Sequence, residues 1–309
     1  MFGLQGDVLI EDEFLRDGLQ NEQRIFSIAE KLWFVSALEA AGLRRIQLGS
    51  FVHPKRVPQM ADTDELFDRI VPKPGVVYSA LVLNDAGLSR ALSADVNHLS
   101  ISVSASESHS RKNTNRTCAE ARAAITPTIE RALSEGIAVR AGIQSALGCG
   151  FEGRIDPDRV VEIARAFSAL GVQEINIADT AGLGNPRQVF ELCSRLRQEI
   201  SPETALSLHL HDTRGLGLAN MVAGLEAGVR IFDAALGGLG GCPFIPKATG
   251  NIALEDAAYL CAELGLETGI SWQALRRPVA EAEALLGRVL PARASHLPLP
   301  PWEPMEAAS

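Results

Sequence analysis

Short β-branched or apolar runs alternate with amphipathic stretches of about ten to twenty residues almost to the end of the chain, a strand–helix rhythm read from hydrophobic period. The strand candidates are DVLIED from 7, RRIQLG from 44, VVYSALVL from 76, NHLSISVSA from 97, AVRAGIQSA from 138, QEINIADT from 173, LSLHLHDT from 206 and RIFDAALGG from 230. Helical candidates between them include AEKLWFVSALEAAG from 29, TCAEARAAITPTIERALSEG from 117, DPDRVVEIARAFSALG from 156, NPRQVFELCSRLRQEI from 185, LANMVAGLEAG from 218 and LEDAAYLCAELG from 254. Several end on glycine, and two open with Asp-Pro or Asn-Pro, an N-cap followed by proline at the first helical position. Eight strands with alternating helices predict an α/β chain folded as a (β/α)8 TIM barrel, one catalytic domain over residues 1–290. A doubly wound sheet is the runner-up, but no G-x-G-x-x-G follows the first strand.

SWQALRRPVAEAEALLGRVL, from 271, reads as a C-terminal helical extension, and residues 291–309 as a proline-rich, mobile tail. A formal charge of −9 with scattered Lys and Arg argues against nucleic acid or an anionic membrane as partner, and favours a small-molecule substrate. The amino terminus carries no basic-then-apolar leader and no stretch reaches membrane-span length, so a cytoplasmic protein is expected. The five cysteines have no framework spacing and read as free thiols, mostly packing residues.

In a barrel of this kind the active site forms at the carboxyl ends of the strands, which gathers scattered polar residues into one ring. Arg16 and Asp17 follow strand one, Gln47 lies on strand two, Asp179 and Thr180 end strand six, and His209 and His211 end strand seven. The loop after strand eight carries Cys242. Residues i and i+2 of a strand face the same side, so both histidines point into the mouth, where two imidazoles can share one metal ion. Asp17 supplies a carboxylate and Asn251 an amide oxygen, a mixed N/O set suited to Mg²⁺ or Mn²⁺. Asp17 can equally be a turn aspartate before glycine, and Asn251 an N-cap. The glycines of GGLGGCP, from 237, suit a loop that moves or brings backbone close to a ligand, where the Cys242 thiol can serve proton transfer, or equally a plain flexible connection.

Together RDGLQNE (16–22), SFVHPKRVPQMAD (50–62), SALGCGFEG (145–153), HLHDT (209–213) and the GLGGCP…GN.A.ED stretch (238–256) resemble the 3-hydroxy-3-methylglutaryl-CoA lyase family of metal-dependent TIM-barrel lyases. The resemblance runs from about residue 8 to 290 and implies retro-Claisen cleavage of a 3-hydroxyacyl-CoA to acetyl-CoA and a keto acid. It implies Asp17, His209, His211 and Asn251 as ligands of a divalent ion, Arg16 as the cation that stabilises the enolate, and Cys242 as the group that protonates it. Gln20, Gln47, Asn113, Phe151, Asp179 and Thr180 would face the substrate, with Arg111 and Lys112 near the CoA phosphates or in a solvated basic turn. Asp179 has the further option of orienting Arg16. A homodimer is also implied.

The sequence departs from the family where a glutamate commonly ends strand two: Gln47 keeps the size and hydrogen bonds but cannot take a proton. Leu48 and Gly49 replace small hydroxylated residues, and Phe151 replaces a tyrosine. Two alternatives follow, a lyase for another thioester such as citramalyl-CoA, or an inactive paralogue that binds CoA esters or metal.

Overall fold

The computed structural model describes residues 3–241 and 250–301 of the chain. The β-branched runs form eight parallel strands, β1 (Leu9–Asp12), β2 (Arg45–Ser50), β3 (Val77–Leu81), β4 (His98–Ser104), β5 (Ala138–Gln144), β6 (Glu174–Asp179), β7 (Ala205–Leu210) and β8 (Ile231–Ala234). They close in sequence order, with Leu9 to Asp12 of β1 registered against Ile231 to Ala234 of β8. The (β/α)8 barrel is therefore the fold of this chain, and each expected run coincides with an observed strand, β2 extending one residue past its run and β7 beginning one residue before its own.

The outer layer comprises α1 (Ile28–Ala40), α2 (Thr63–Arg69), α3 (Asp85–Ser93), α4 (Glu107–Thr114), α5 (Cys118–Ser134), α6 (Pro157–Ala169), α7 (Pro186–Glu199), α8 (Gly217–Glu226) and α9 (Leu254–Glu263). The Asp-Pro and Asn-Pro starts cap as their chemistry dictates: Asp156 accepts from the Asp158 amide and Asn185 from the Gln188 amide. α2, α3 and α4 had no counterpart among the sequence candidates, because they are short and polar. Arg111 to Asn113 accordingly lie in the last turns of α4 rather than in a turn after β4.

Strand alternation divides the barrel into two layers. Ile10, Ile46, Leu48, Leu99, Ile101, Val139, Ile143, Ile175, Ile177, Leu208 and Phe232 are buried in one continuous apolar core with residues of the helices. The barrel interior is instead polar, where TIM barrels usually stack branched hydrophobics. Arg45 on β2 pairs with Glu11 on β1 and, at 2.8 Å, with Glu174 on β6. Arg140 on β5 reaches Glu11 and Asp233 on β8, and Ser79 on β3 donates to Glu11. All but the Arg45–Glu11 pair join strands that are not neighbours, so the network runs through the interior.

The helical extension is α10 (Arg276–Leu286). The start of the proline-rich segment, expected to be mobile, is fastened to the barrel. Leu290 and Ala292 are buried, the Ala292 amide donates to the Gly237 carbonyl at 3.2 Å, and the Arg293 and Ala294 amides donate to the Asp256 carboxylate. Among the described residues, no helix is long and apolar enough to cross a membrane.

Candidate active site

Directly after β1 the chain makes a five-residue π-turn, Phe14–Gly18, closed by an i to i+5 bond from the Gly18 amide to the Glu13 carbonyl. Such wide turns are frequent at functional sites, and this one sets Arg16 and Asp17 side by side at the mouth. The Arg16 guanidinium is held from three directions: Nη1 donates to Asp17 at 2.6 Å, Nη2 to Glu13 at 2.5 Å, and Nε to the Gln47 side-chain oxygen. Burial opposes ionisation of Asp17, but Arg16 and the facing histidines outweigh it and hold the carboxyl well below the usual range.

His209 and His211 turn their Nε2 atoms towards each other, 3.0 Å apart, and Asp17 Oδ2 lies 3.7 Å from His211 Nε2. One ligand atom from each of Asp17, His209 and His211 falls within 4.8 Å of the others, a spacing that suits a shared ion. His209 Nδ1 faces Asp233 at 3.0 Å, so a proton on Nδ1 leaves the Nε2 lone pair free for a metal. The Asn251 amide donates from Nδ2 to Asp17 at 2.8 Å and to the Leu239 carbonyl at 3.1 Å, while its buried Oδ1 has no partner among the described residues. A buried carbonyl oxygen without a donor is costly in protein and ready-made for a hard cation. These residues fit a divalent ion.

The glycine loop enters the site at close quarters. A Cβ on Gly240, which has φ +120°, would lie 2.6 Å from Asn251 Nδ2 and 2.9 Å from Asp17 Oδ2, so only glycine lets the backbone pass there. Cys242 lies outside the described residues. Asn251 does not act as the N-cap weighed from sequence, since Ala253 holds that position on α9 without a side-chain cap.

Of the residues expected to face the substrate, Gln47 is fully buried at the inner end of the mouth, accepting from Arg16 with its amide nitrogen 3.5 Å from Glu11. Gln20 follows the π-turn and is partly buried. Asn113 is exposed on α4 and donates to His109 Nε2 at 2.8 Å. Phe151 follows β5 with Lys112 Nζ 3.4 Å from its ring centroid, a cation–π pair. Asp179 ends β6 on the side away from the interior and accepts from the Leu183 and Gly184 amides, while Thr180 Oγ1 accepts from the Ser145 amide. Both fasten loops of the mouth, and Glu13 takes the role of orienting Arg16 that was weighed for Asp179. Leu48 and Gly49 lie away from the pocket: Leu48 packs in the apolar core, and a Cβ on Gly49 would meet Thr63 Oγ1 at 2.6 Å.

Sequence reasoning missed the residues behind the mouth: Glu13, Asp233, Arg140, Asn176, Glu11, Arg45 and Glu174. The signal was present, because parallel strands buried on both faces read as near-continuous apolar runs and a charge inside one is a flag. Apart from the local Glu13–Arg16 pair, their partners were not readable, since they lie on strands far away in sequence.

Comparison with known proteins gives the same answer over nearly the whole chain. The chain is 41% identical over 282 residues to a hydroxymethylglutaryl-CoA lyase of Pseudomonas mevalonii, covering 90% of this chain and 92% of that protein. It is 40% identical to an (R)-citramalyl-CoA lyase of Chloroflexus aurantiacus, covering 92% and 93%. A crystal structure of an HMG-CoA lyase from Acinetobacter baumannii, in complex with coenzyme A and 3-methylmalate, superposes with a TM-score of 0.90 at 37% identity, covering 97% and 98%. The family model described as HMGL-like matches residues 7–280, and with that span, those relatives and this mouth in agreement the chain belongs to the HMGL-like family.

Proposed function

We propose that this protein is a divalent-metal-dependent carbon–carbon lyase that cleaves a 3-hydroxy-3-methylglutaryl-CoA-like thioester to acetyl-CoA and a keto acid. The observation that carries the reading is the placement of a fixed guanidinium, Arg16, beside Asp17, His209, His211 and the Asn251 oxygen, which has no partner among the described residues. In the reaction the bond between the carbinol carbon and the thioester α-carbon breaks. Its electron pair passes to the thioester as an enolate, the hydroxyl proton leaves to give the ketone, and the enolate takes up a proton to become acetyl-CoA. When bound, Mg²⁺ or Mn²⁺ lowers the pKa of a hydroxyl placed against it.

The chain supplies the rest. Arg16, locked by Glu13, Asp17 and Gln47, offers a cation that needs no reorganisation as charge develops on the thioester oxygen. Asp233 keeps His209 in the tautomer that presents Nε2 to the mouth. Asn113, Phe151 and Gln20 border the substrate from the β4, β5 and β1 sides, and Cys242 is the enolate's proton donor. The protein acts in the cytoplasm as a homodimer.

A second reading, a citramalyl-CoA-type lyase yielding pyruvate and acetyl-CoA, is favoured by one observation. Gln47, wedged between Arg16 and Glu11, takes the neutral form of a carboxylate the family commonly places there. It cannot accept a proton, and substrate choice shifts readily when one buried polar group changes. Incubating the protein with Mg²⁺ or Mn²⁺ and a panel of 3-hydroxyacyl-CoA thioesters, with acetyl-CoA followed by chromatography, tests both. Chelator-sensitive release from 3-hydroxy-3-methylglutaryl-CoA supports the first reading, release only from citramalyl-CoA the second, and silence across the panel overturns the lyase. Gln47→Glu is expected to raise 3-hydroxy-3-methylglutaryl-CoA cleavage by about tenfold or more, within the range of general-base catalysis; no gain removes Gln47 as the specificity determinant.

A further inference from the structure

We infer that Arg140, which touches neither the metal ligands nor the mouth, is the positioning residue that holds the two halves of the active site in register. The inference rests on the lyase reading for its catalytic consequence and on geometry alone for the clamp.

Arg140 stands on β5, 2% exposed, across the interior from β1 and β8. Its terminal nitrogens make four bonds. Nη1 donates to Asp233 Oδ1 at 2.9 Å and to Glu11, and Nη2 donates to Asp233 Oδ2 at 2.5 Å and to Glu13 Oε1 at 3.1 Å. Each of the two shared carboxylates then grips a residue of the mouth. Asp233 Oδ2 faces His209 Nδ1 at 3.0 Å, and Glu13 Oε2 accepts from Arg16 at 2.5 Å. One guanidinium thus reaches the metal-side histidine through Asp233 and the enolate-side arginine through Glu13.

Glu13, His209 and Asp233 also have the spacing of a cation site. The structure fills that need with a side chain, since the Arg140 guanidinium already lies against both carboxylates. Its charge offsets two fully buried acids that would otherwise repel, and its planar fork sets their direction. Lysine would supply the charge from a single point with three donors and cannot reproduce four directed bonds. Without the fork, Asp233 is free to rotate from His209 and Glu13 from Arg16.

The test compares Arg140→Lys with the unaltered protein in three measurements: Mn²⁺ affinity from the electron paramagnetic resonance of free Mn²⁺, kcat and KM separately, and the ring-nitrogen NMR signals of His209 without metal. Arg140→Lys is expected to keep the far-UV circular dichroism of the fold, to weaken Mn²⁺ binding by about tenfold to a hundredfold, and to lower kcat with KM little changed. His209 is expected to show one Nδ1-protonated tautomer in the unaltered protein and a mixture in the variant. Mn²⁺ affinity and kcat within about twofold of the unaltered protein, or an unchanged tautomer, overturns the clamp.

Should Arg140→Lys fail to fold, two variants of unchanged size decide the question. Asp233→Asn is expected to weaken Mn²⁺ binding, and Glu13→Gln to lower kcat at unchanged Mn²⁺ affinity. Both readouts moving equally in both variants, or neither moving, overturns it. Loss of the lyase reading is separable, because unaltered protein that releases no acetyl-CoA still reports the His209 tautomer.

Discussion

Glu11 and Asp12 are adjacent, both acidic and both fully buried, yet they titrate in opposite directions. Glu11 points into the barrel, where burial alone would raise its pKa; the guanidiniums of Arg140 and Arg45 reverse that and hold the carboxyl well below the ordinary range. Asp12 points outward beneath the loop after β8. Burial pushes it up to about 8, against the Leu236 and Phe14 amides that donate to it. Glu255 on α9 shares the outer layer and the same upward shift to about 8, with the Gly237 amide as donor. For these two neighbours depth does not decide the charge: the guanidiniums of Arg140 and Arg45 face Glu11 and outweigh its burial, while burial dominates at Asp12. At Glu13 burial and the facing acids Asp233 and Glu11 outweigh Arg16 and Arg140 and raise its pKa.

This division into an ionic interior and an apolar surround can be broken at defined points. The largest effect is expected at the mouth. Asp17→Ala should lower metal-dependent turnover by about a thousandfold or more, since several kcal/mol of charge stabilisation depend on the ion it holds; a steady-state assay with added Mg²⁺ or Mn²⁺ checks it, and near-normal turnover sinks the metal site. Next is the ladder below. Glu11→Gln leaves Arg45 and Arg140 without their shared carboxylate and should cost about 3–5 kcal/mol in urea unfolding, as breaking one side of a buried pair does.

Ile177→Ala removes an outward-facing, fully buried side chain. It should cost about 2–5 kcal/mol of stability while kcat per folded molecule stays unchanged. A fall in kcat for the folded fraction would show that the two layers are coupled.

The smallest effect concerns pH. Asp12 and Glu255 hold their protons in the folded protein to about pH 8 but release them near the ordinary carboxylate range when unfolded. Between those limits the folded state binds more protons, so stability falls as pH rises through the window. Glu11 acts in the opposite sense and loses its contribution only in acid. Thermal melts of Glu255→Gln should accordingly lose less Tm than the unaltered protein between about pH 6 and 9, because an amide has no proton to give up in that window. Equal slopes would show that Glu255 is ionised in the fold.

Much of the site was legible in local pattern. The H-x-H at the end of β7, the RDG after β1 and the glycines after β8 each follow from a two-residue period or from turn chemistry, and each strand fell inside its expected run or overran it by one residue. The outward direction of Asp179 was missed. In β6 the inward positions are Glu174 and Asn176, which places Asp179 on the other face, where it holds the Leu183 and Gly184 amides. Asn113 was read in a turn because α4 is polar throughout and carries no apolar stripe to mark it.

Sequence alone determined the order of the strands and of the longer helices, the barrel and the carboxyl-end ring of polar residues, because hydrophobic period and caps are local properties of the chain. Only the tertiary structure decided that Arg140 would meet Asp233 and Glu13, that Arg45 would bridge Glu11 and Glu174, and that Glu11 and Asp12 would differ in charge. Those outcomes depend on which side chains face one another across a closed ring, and closure joins residues as far apart as Glu11 and Asp233 by a geometry that no local pattern encodes.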